Sequence, residues 1–323
     1  MSEGEAALGF VGLGAMGGPI AGHLLARHGS LAVFDVRAEA VRPLADAGAT
    51  ACGSPADVAG AARTVFMSLP DPAAIPAVVE ELLQGARIHT VVDLSTTGPQ
   101  IAAQIRAALS HRGVGYLDAP VSGGPSGAAA GRLSVMAAGA PEVFDEVAPL
   151  LDAFAATVVR VGDVPGQGQV AKVLNNLMSA TAIAITSEVM ALGVKAGLDP
   201  ERLLMAINSG SGRNTASADK FPKYVLPRTF DMGFRLRLMT KDVKLCLEEA
   251  ARQKVPMILG GTVEQLWTLA AACTAEGADC TEIARMLEGW AGVTIGAIAD
   301  HDGLRVLGLT GSCHRPIFTG GTQ

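Results

Sequence analysis

Much of what would announce a function is missing from this 323-residue sequence. The five cysteines (Cys52, Cys246, Cys273, Cys280 and Cys313) are odd in number, irregularly spaced and never form Cys-x-x-Cys. That argues against a disulfide framework and reads as reduced thiols in a cytoplasmic protein. The six histidines form neither His-Glu-x-x-His nor a His/Cys ligand spacing, so no metal site is expected. Lys and Arg number 25 against 31 Asp and Glu, a formal net charge of -6, and they form no cluster. Such a surface repels phosphate backbones, which argues against nucleic acid as a partner. Residues 1–7 carry acids where a secretory leader would carry bases. The longest uncharged apolar run, residues 173–187, contains Asn175 and Asn176 and is short for a bilayer, so a buried helix is expected and no membrane partner. There is no internal repeat and no low-complexity segment.

What is present is apolar: 49% hydrophobic against 17% charged residues, ample for a large core and, at this length, for two domains. Short apolar runs at 8–11, 31–34, 64–67, 90–92 and 115–117 alternate with amphipathic stretches, the signature of a mostly parallel sheet flanked by helices. Runs at 133–137 and 157–161 read as late strands. Strand signals then stop. Residues 169–196 read as one long apolar helix, followed by helical patterns at 200–208, 238–253, 256–275 and 280–289. The expected fold is an α/β Rossmann-type N-terminal domain (1–165) followed by an all-α C-terminal domain (166–300), joined by a long interdomain helix. A tail (301–323) lacks periodicity and is expected to be poorly ordered. Residues 209–233, rich in Gly, Ser, Asn and Pro, read as a long functional loop.

Gly12-Leu13-Gly14-Ala15-Met16-Gly17 matches Gly-x-Gly-x-x-Gly. It follows an apolar strand, opens a helix, and precedes a second strand that ends at Asp35, about 20 residues on. Each part has a task. Gly12 makes the tight turn, Gly14 lets backbone approach a pyrophosphate held at the helix N-terminus, and Gly17 lets helix pack on strand. A carboxylate at Asp35 accepts hydrogen bonds from ribose hydroxyls and repels a 2′-phosphate, favouring NAD. Arg37, two residues later, works the other way and leaves NADP open.

Lys172 is the only charge between Asp163 and Glu188. Its apolar helix would desolvate the ammonium and lower its pKa toward working pH, which suits a group that takes and returns a proton. Asn175 and Asn176, three and four residues on, share its face. On the residues alone, a lysine snorkelling at a helix end is an equal reading.

Four further stretches enter with these. They are Asp93-Leu94-Ser95-Thr96-Thr97-Gly98-Pro99, Asp118-Ala119-Pro120-Val121-Ser122-Gly123-Gly124, Gly166-Gln167-Gly168-Gln169-Val170-Ala171-Lys172-Val173-Leu174-Asn175-Asn176, and Lys241-Asp242-Val243. In order and approximate spacing, with the glycine motif, they resemble the β-hydroxyacid dehydrogenase family, the group of 3-hydroxyisobutyrate dehydrogenase-like enzymes, over residues 7–295. Phe34-Asp35-Val36 resembles its NAD-using branch. The resemblance implies Lys172 as general acid/base and Asn176 as the group that orients substrate beside it. It implies Ser122, Gly123 and Gly124 as the carboxylate cradle, and Thr96 on the nicotinamide side of the cofactor. Leu69 and Pro70 would line the adenine–ribose side, although Leu69 also reads as core, and Leu13, Met16 and Val36 would also bind the cofactor. Lys241 would reach the cofactor region, or else be a solvated helix-start lysine; Asp242 would hold the local network. The segment 162–166 is one residue longer than the family's usual spacing before the lysine.

The implied reaction is hydride transfer between NAD and a small 3-hydroxy acid, 3-hydroxyisobutyrate-like or more polar. Arg213 and Asn214, in the loop that varies among such enzymes, could bind a second polar group on the substrate, or be plain surface polarity. Apolar helices in excess of what one small domain can cover predict a homodimer or homotetramer. Two rivals stand beside this reading. An imine reductase-like enzyme is opposed by Lys172, and a non-catalytic NAD-binding sensor by the proton-transfer and anion-binding residues.

Overall fold

The computed structural model describes residues 8–296; Cys313 and the tail 301–323 lie outside them. Strands and helices alternate at first: β1 (Leu8–Val11), α1 (Gly17–His28), β2 (Leu31–Phe34), α2 (Ala38–Asp46), β3 (Thr50–Ala51), α3 (Pro55–Ala61), β4 (Thr64–Met67), α4 (Ile75–Leu82), β5 (Thr90–Asp93), α5 (Pro99–Ser110) and β6 (Gly115–Asp118). Then come β7 (Val121–Ser122), α6 (Gly124–Ala129), β8 (Leu133–Ala138), α7 (Pro141–Leu151) and β9 (Ala155–Gly162). The rest is helical: α8 (Gln167–Lys195), α9 (Pro200–Ser209), a π-helix (Ala216–Val225), α10 (Leu236–Arg252), α11 (Ile258–Cys273) and α12 (Ile283–Ala291).

The strands form one sheet in the order β3-β2-β1-β4-β5-β6-β8-β7, with β9 on β8. β1 to β6 pair in parallel, and β8 runs antiparallel to both β6 and β7. The order reverses between β1 and β4, the switch point at which open α/β sheets bind ligands. Register sharpens this. Phe34, Val11, Met67, Asp93 and Asp118 pair in one row at the carboxyl ends of β2, β1, β4, β5 and β6. The loops that follow these strands therefore leave the sheet at one level.

Strands β1, β2, β4, β5 and β6 are buried on both faces and so read as largely apolar runs. Phe10, Phe66 and Val92 point to one core with α1 and Phe154, where the Phe10 and Phe66 rings stack at 6.1 Å. Val11, Val65, Met67 and Val91 point to the other, under α3, α4 and α5.

The chain divides into two compact units. Unit 1 comprises the residues to Ala180 with Lys241–Glu264; unit 2 comprises Thr181–Thr240 with the residues from Gln265. Among its described residues, the regular elements of unit 2 are all helices. Within it Trp267 is fully buried, and the Arg228 guanidinium forms a two-pronged pair with the Glu288 carboxylate.

The loop expected over 209–233 is corrected at its centre, where residues Ala216–Val225 wind into the π-helix. Asn214 starts it. Its Oδ1 accepts the Ala216 and Ser217 N–H groups at 2.8 and 3.0 Å, and Ser217 Oγ accepts the Asn214 N–H at 2.9 Å. Ser and Asn at a helix start compose like a turn, which is why the composition read as loop. Phe221 and Val225 anchor the segment in the core of unit 2.

Candidate active site

The glycine turn after β1 is built as its sequence requires. Gly12 has φ +91°, and a Cβ there would lie 2.4 Å from the Ser68 carbonyl oxygen. A Cβ at Gly17 would lie 1.9 Å from the Gly12 carbonyl oxygen, so helix and turn meet backbone to backbone. Gly14 is different: a Cβ would meet nothing nearer than the Arg37 guanidinium at 3.9 Å. The space over Gly14 is open. Among the described residues, the N–H groups of Gly14, Ala15 and Met16 meet no protein acceptor. Three unpaired donors at the start of α1, beneath open space, fit a dinucleotide's pyrophosphate.

Asp35, at the end of β2, closes this turn. Its Oδ2 accepts the Leu13 N–H at 2.7 Å, and its Oδ1 accepts the Arg37 N–H at 2.9 Å and Arg37 Nε at 3.2 Å. These donors outweigh burial and hold the carboxyl below its ordinary range. Leu13 is buried, Met16 half-buried, and Val36 is 88% exposed. Pro70 is exposed beside half-buried Leu69, whose N–H donates to Ser95 Oγ at 2.9 Å.

The loop after β5, residues 95–98, is pinned on every side. Asp93 Oδ1 accepts the Ser95 N–H at 2.9 Å. Gln169 Oε1 accepts the Thr97 and Gly98 N–H groups at 2.8 and 3.1 Å, and Gln169 Nε2 donates to the Ser95 carbonyl at 3.0 Å. Lys241 Nζ donates to the Thr96 carbonyl at 2.6 Å.

Asp118, at the end of β6, caps α8 from a distance of 48 residues in sequence: its Oδ2 accepts the Gly166 N–H at 2.8 Å and the Gln169 N–H at 3.0 Å. Gln169 Nε2 reaches its Oδ1 at 2.7 Å. Burial pushes both strand-end acids up, Asp93 to about 7 and Asp118 to about 6. The β6–β7 connection then delivers Ser122 and Gly123, the latter at φ +130°, which only glycine adopts readily. Gly124 opens α6, and a Cβ there would meet nothing within 4 Å.

One turn past Gln169, Lys172 is 7% exposed. Its Nζ forms no hydrogen bond or ion pair among the described residues. Burial lowers its pKa to about 8, against the pull of the Asp242 carboxylate and with the help of the Lys241 charge. Asn176 Nδ2 donates to Asp242 Oδ2 at 2.6 Å, and Asn175 Nδ2 donates to Asn176 Oδ1 at 3.1 Å. Lys241 Nζ lies 3.1 Å from Asp242 Oδ1, a charge contact too poorly directed to be a hydrogen bond. A buried lysine with a near-neutral pKa and no partner can exchange a proton with a ligand.

The structure thus joins Lys172, Asn176 and Lys241 around Asp242, ties Lys241 to Thr96, and assembles residues 12–17 with Asp35. Among the described residues, no hydrogen bond or ion pair joins residues 122–124 to Lys172. Arg213 and Asn214 belong to unit 2. The Asn214 side chain is spent there as the π-helix cap and on Thr186 Oγ1 at 3.1 Å. Arg213 is exposed, and its guanidinium has no partner among the described residues. Gln169 and Asp118 lay inside the motifs without a role. The available signal was one uncharged polar side chain placed a turn before a lysine in an apolar helix.

Comparison with known proteins adds two family matches. Residues 7–162 match the NAD binding domain of 6-phosphogluconate dehydrogenase, and residues 166–287 match the family described as NAD-binding of NADP-dependent 3-hydroxyisobutyrate dehydrogenase. The chain is 33% identical to 2-(hydroxymethyl)glutarate dehydrogenase of Eubacterium barkeri over 89% of its own length and 97% of the relative's. It is 35% identical to 3-hydroxyisobutyrate dehydrogenase of Pseudomonas aeruginosa over 87% and 98%. The solved structure of Mycobacterium tuberculosis 3-hydroxyisobutyrate dehydrogenase with L-serine aligns with a TM-score of 0.81 at 27% identity, covering 87% of this chain and 99% of that one.

Proposed function

The chain belongs to the β-hydroxyacid dehydrogenase family, an NAD(P)-linked oxidoreductase acting on the CH–OH of a small hydroxy acid, and from that premise we propose that Lys172 is its proton carrier and a polar 3-hydroxy acid its substrate. The observation that carries the first part is the lysine itself: buried, without a hydrogen-bond or ion-pair partner among the described residues, and with its pKa lowered to about 8. When bound, the nicotinamide supplies the hydride acceptor. The chain's own residues do the rest. Neutral Lys172 Nζ takes the hydroxyl proton in oxidation, and its ammonium returns it in reduction. Asn176, fixed by Asp242, orients the substrate oxygen. Ser122, Gly123 and Gly124 cradle the carboxylate with a hydroxyl and backbone N–H groups. Residues 12–17 hold the pyrophosphate, Asp35 the ribose, and Leu69, Pro70, Thr96 and Lys241 the remainder of the dinucleotide. NAD is the proposed preferred form, because the Asp35 carboxylate ends β2, where a ribose would be met, and already pairs with Arg37.

The 33%-identical relative, named for a dicarboxylic hydroxy acid, supports the second part, and Arg213, exposed and unpaired among the described residues, is the cation proposed for the additional anionic group. An NAD-linked screen over short hydroxy acids decides. We expect turnover lost in Lys172→Ala, and a preference for substrates with a second carboxylate that falls in Arg213→Met. Best activity on 3-hydroxyisobutyrate, unchanged by Arg213→Met, would refute the polar-substrate reading.

The protein is also proposed to self-associate. Helix α8 is long and apolar enough to cross a membrane by composition, with half of its most apolar window buried inside the protein. Its exposed apolar residues Leu174, Met178, Ile185, Val189 and Leu192 are spaced by 4, 7, 4 and 3, which aligns them on one side of the helix. A second copy of the chain is the occupant that stripe fits, because the same helix carries Gln169, Lys172 and Asn176 for aqueous chemistry.

A further inference from the structure

We propose that Gln169 is a positioning residue for the reaction: it locks the loop that carries Thr96 to the helical turn that carries Lys172, so that hydride and proton sites hold one spacing. The inference rests on the assignment of Lys172 above and adds to it a residue with no contact to the reacting atoms.

The geometry leaves the carboxamide no freedom. Gln169 is fully buried. Its oxygen accepts two N–H groups, those of Thr97 and Gly98, and its nitrogen donates to the Ser95 carbonyl and to Asp118 Oδ1. Two lone pairs and two hydrogens are the whole capacity of the group. The orientation is fixed as well, because backbone N–H groups can only donate and the Ser95 carbonyl can only accept. No other side chain of that length satisfies the four partners. Glutamate would supply no donor and would set a second carboxylate against Asp118. Methionine would leave four buried polar groups unpaired.

The backbone of the same residue is also held, by Asp118 Oδ2 at 3.0 Å. Gln169 is therefore fastened to β6 by its main chain and to the loop after β5 by its side chain. Lys172 lies three residues on, on the same face of α8. The Thr96 carbonyl is taken by Lys241, which neighbours the Asp242 that holds Asn176. Loop, helix turn and asparagine form one hydrogen-bonded body. A displacement of about 1 Å between reacting groups costs about 100-fold in rate, so a link of this kind is worth more to turnover than to binding.

The experiment compares Gln169→Met with wild type by three readouts. In the apo protein, hydrogen exchange of the Thr97 and Gly98 amides should accelerate at least tenfold while the amides of β1 and β4 stay protected. In turnover, kcat should fall at least tenfold, with KM for the hydroxy acid within about threefold and a changed primary deuterium isotope effect. The pH inflection set by Lys172 should remain in place. A folded variant whose loop amides exchange fast but whose kcat and isotope effect match wild type overturns the proposal. If the variant does not fold, wild-type exchange decides. The Thr97, Gly98 and Gln169 amides should then open at one common rate, and rates differing by more than tenfold overturn the lock. Failure of the underlying assignment looks different: Lys172→Ala would retain turnover while the exchange coupling at Gln169 stands.

Discussion

Asn176 donates its Nδ2–H to Asp242 Oδ2 at 2.6 Å, so the residue one turn past Lys172 is held by the same carboxylate that supports the lysine's charge. Asp242 raises the Lys172 pKa against burial, whereas Lys241 lowers it. Asp242→Asn removes the supporting charge and leaves burial and the Lys241 charge, so Lys172 should titrate below about 8. Oxidation needs the neutral amine, and its kcat/KM should rise at lower pH than in wild type. Reduction needs the ammonium and should lose rate at neutral pH. Profiles of kcat/KM in both directions from pH 6 to 10 test this; an unmoved inflection contradicts the coupling.

Lys172 has a cost to the fold that the proposed proton transfer explains. Its pKa falls from 10.5 to about 8 on folding, a difference of about 3 kcal/mol at 1.36 kcal/mol per unit. A lysine depressed in this way binds its proton more tightly when unfolded. The penalty is full below about pH 8, shrinks as pH rises toward 10.5, and vanishes above it. Lys172→Met should therefore be more stable than wild type at pH 7, by up to that amount, and lose the advantage at pH 10.5. The same variant should lose turnover by at least about 100-fold while binding NAD(P). Melting curves at the two pH values and a fluorescence titration with NADH read out both halves, and a destabilised Lys172→Met at pH 7 counts against the desolvated lysine.

The first half of the chain was legible because its elements are local. Strands β1, β2 and β4 have the bounds that hydrophobic runs predict, and Gly12, Gly14, Gly17 and Asp35 stand where the turn chemistry needs them. What escaped reading depends on partners distant in sequence. Helix α8 begins at Gln167 rather than 169 because Asp118, on another strand, accepts the N–H groups at its start. Strands β3 and β7 are two residues long, too short to show a period. The π-helix was hidden by Asn214 and Ser217, whose capping use has the composition of a loop. The pinning of residues 95–98 from Gln169 and Lys241 joins segments about 70 and 145 residues apart, and no spacing rule reports such a join.

The proposed preference for NAD rests on Asp35 and its ion pair with Arg37. Asp35→Ser removes the carboxylate that repels a 2′-phosphate and frees the half-exposed Arg37 to meet one. The ratio of kcat/KM for NADP over NAD should rise at least tenfold. The double variant Asp35→Ser with Arg37→Ala should lose most of that gain. Binding of both forms should weaken somewhat, because the Leu13 N–H loses its acceptor. A ratio unchanged in Asp35→Ser would remove Asp35 from cofactor selection.

Two glycines of one motif should respond oppositely to the same methyl group. At Gly17 a Cβ would sit 1.9 Å from a backbone oxygen, so Gly17→Ala should destabilise the fold by several degrees in Tm. At Gly14 a Cβ meets open space, so Gly14→Ala should leave Tm within about two degrees yet weaken NAD(P) binding at least tenfold by filling the approach to the pyrophosphate. Thermal melts paired with NADH titrations separate the two. Equal loss of stability in both variants would mean that the space over Gly14 serves packing rather than a ligand.

The stripe on α8 carries the last prediction. Met178 is 73% and Leu192 71% exposed, and burying such a side chain is worth about 2 kcal/mol. A symmetric partner repeats each contact, so one substitution on the stripe acts twice in a dimer. Met178→Glu with Leu192→Glu should shift the mass found by sedimentation from an oligomer to a monomer at micromolar concentration. The glutamates face solvent in the single chain, so the fold should survive, as circular dichroism would report. A wild-type protein that sediments as a monomer refutes the self-association reading. So would one that partitions onto lipid vesicles through this helix, with the glutamates abolishing partition and leaving the mass unchanged.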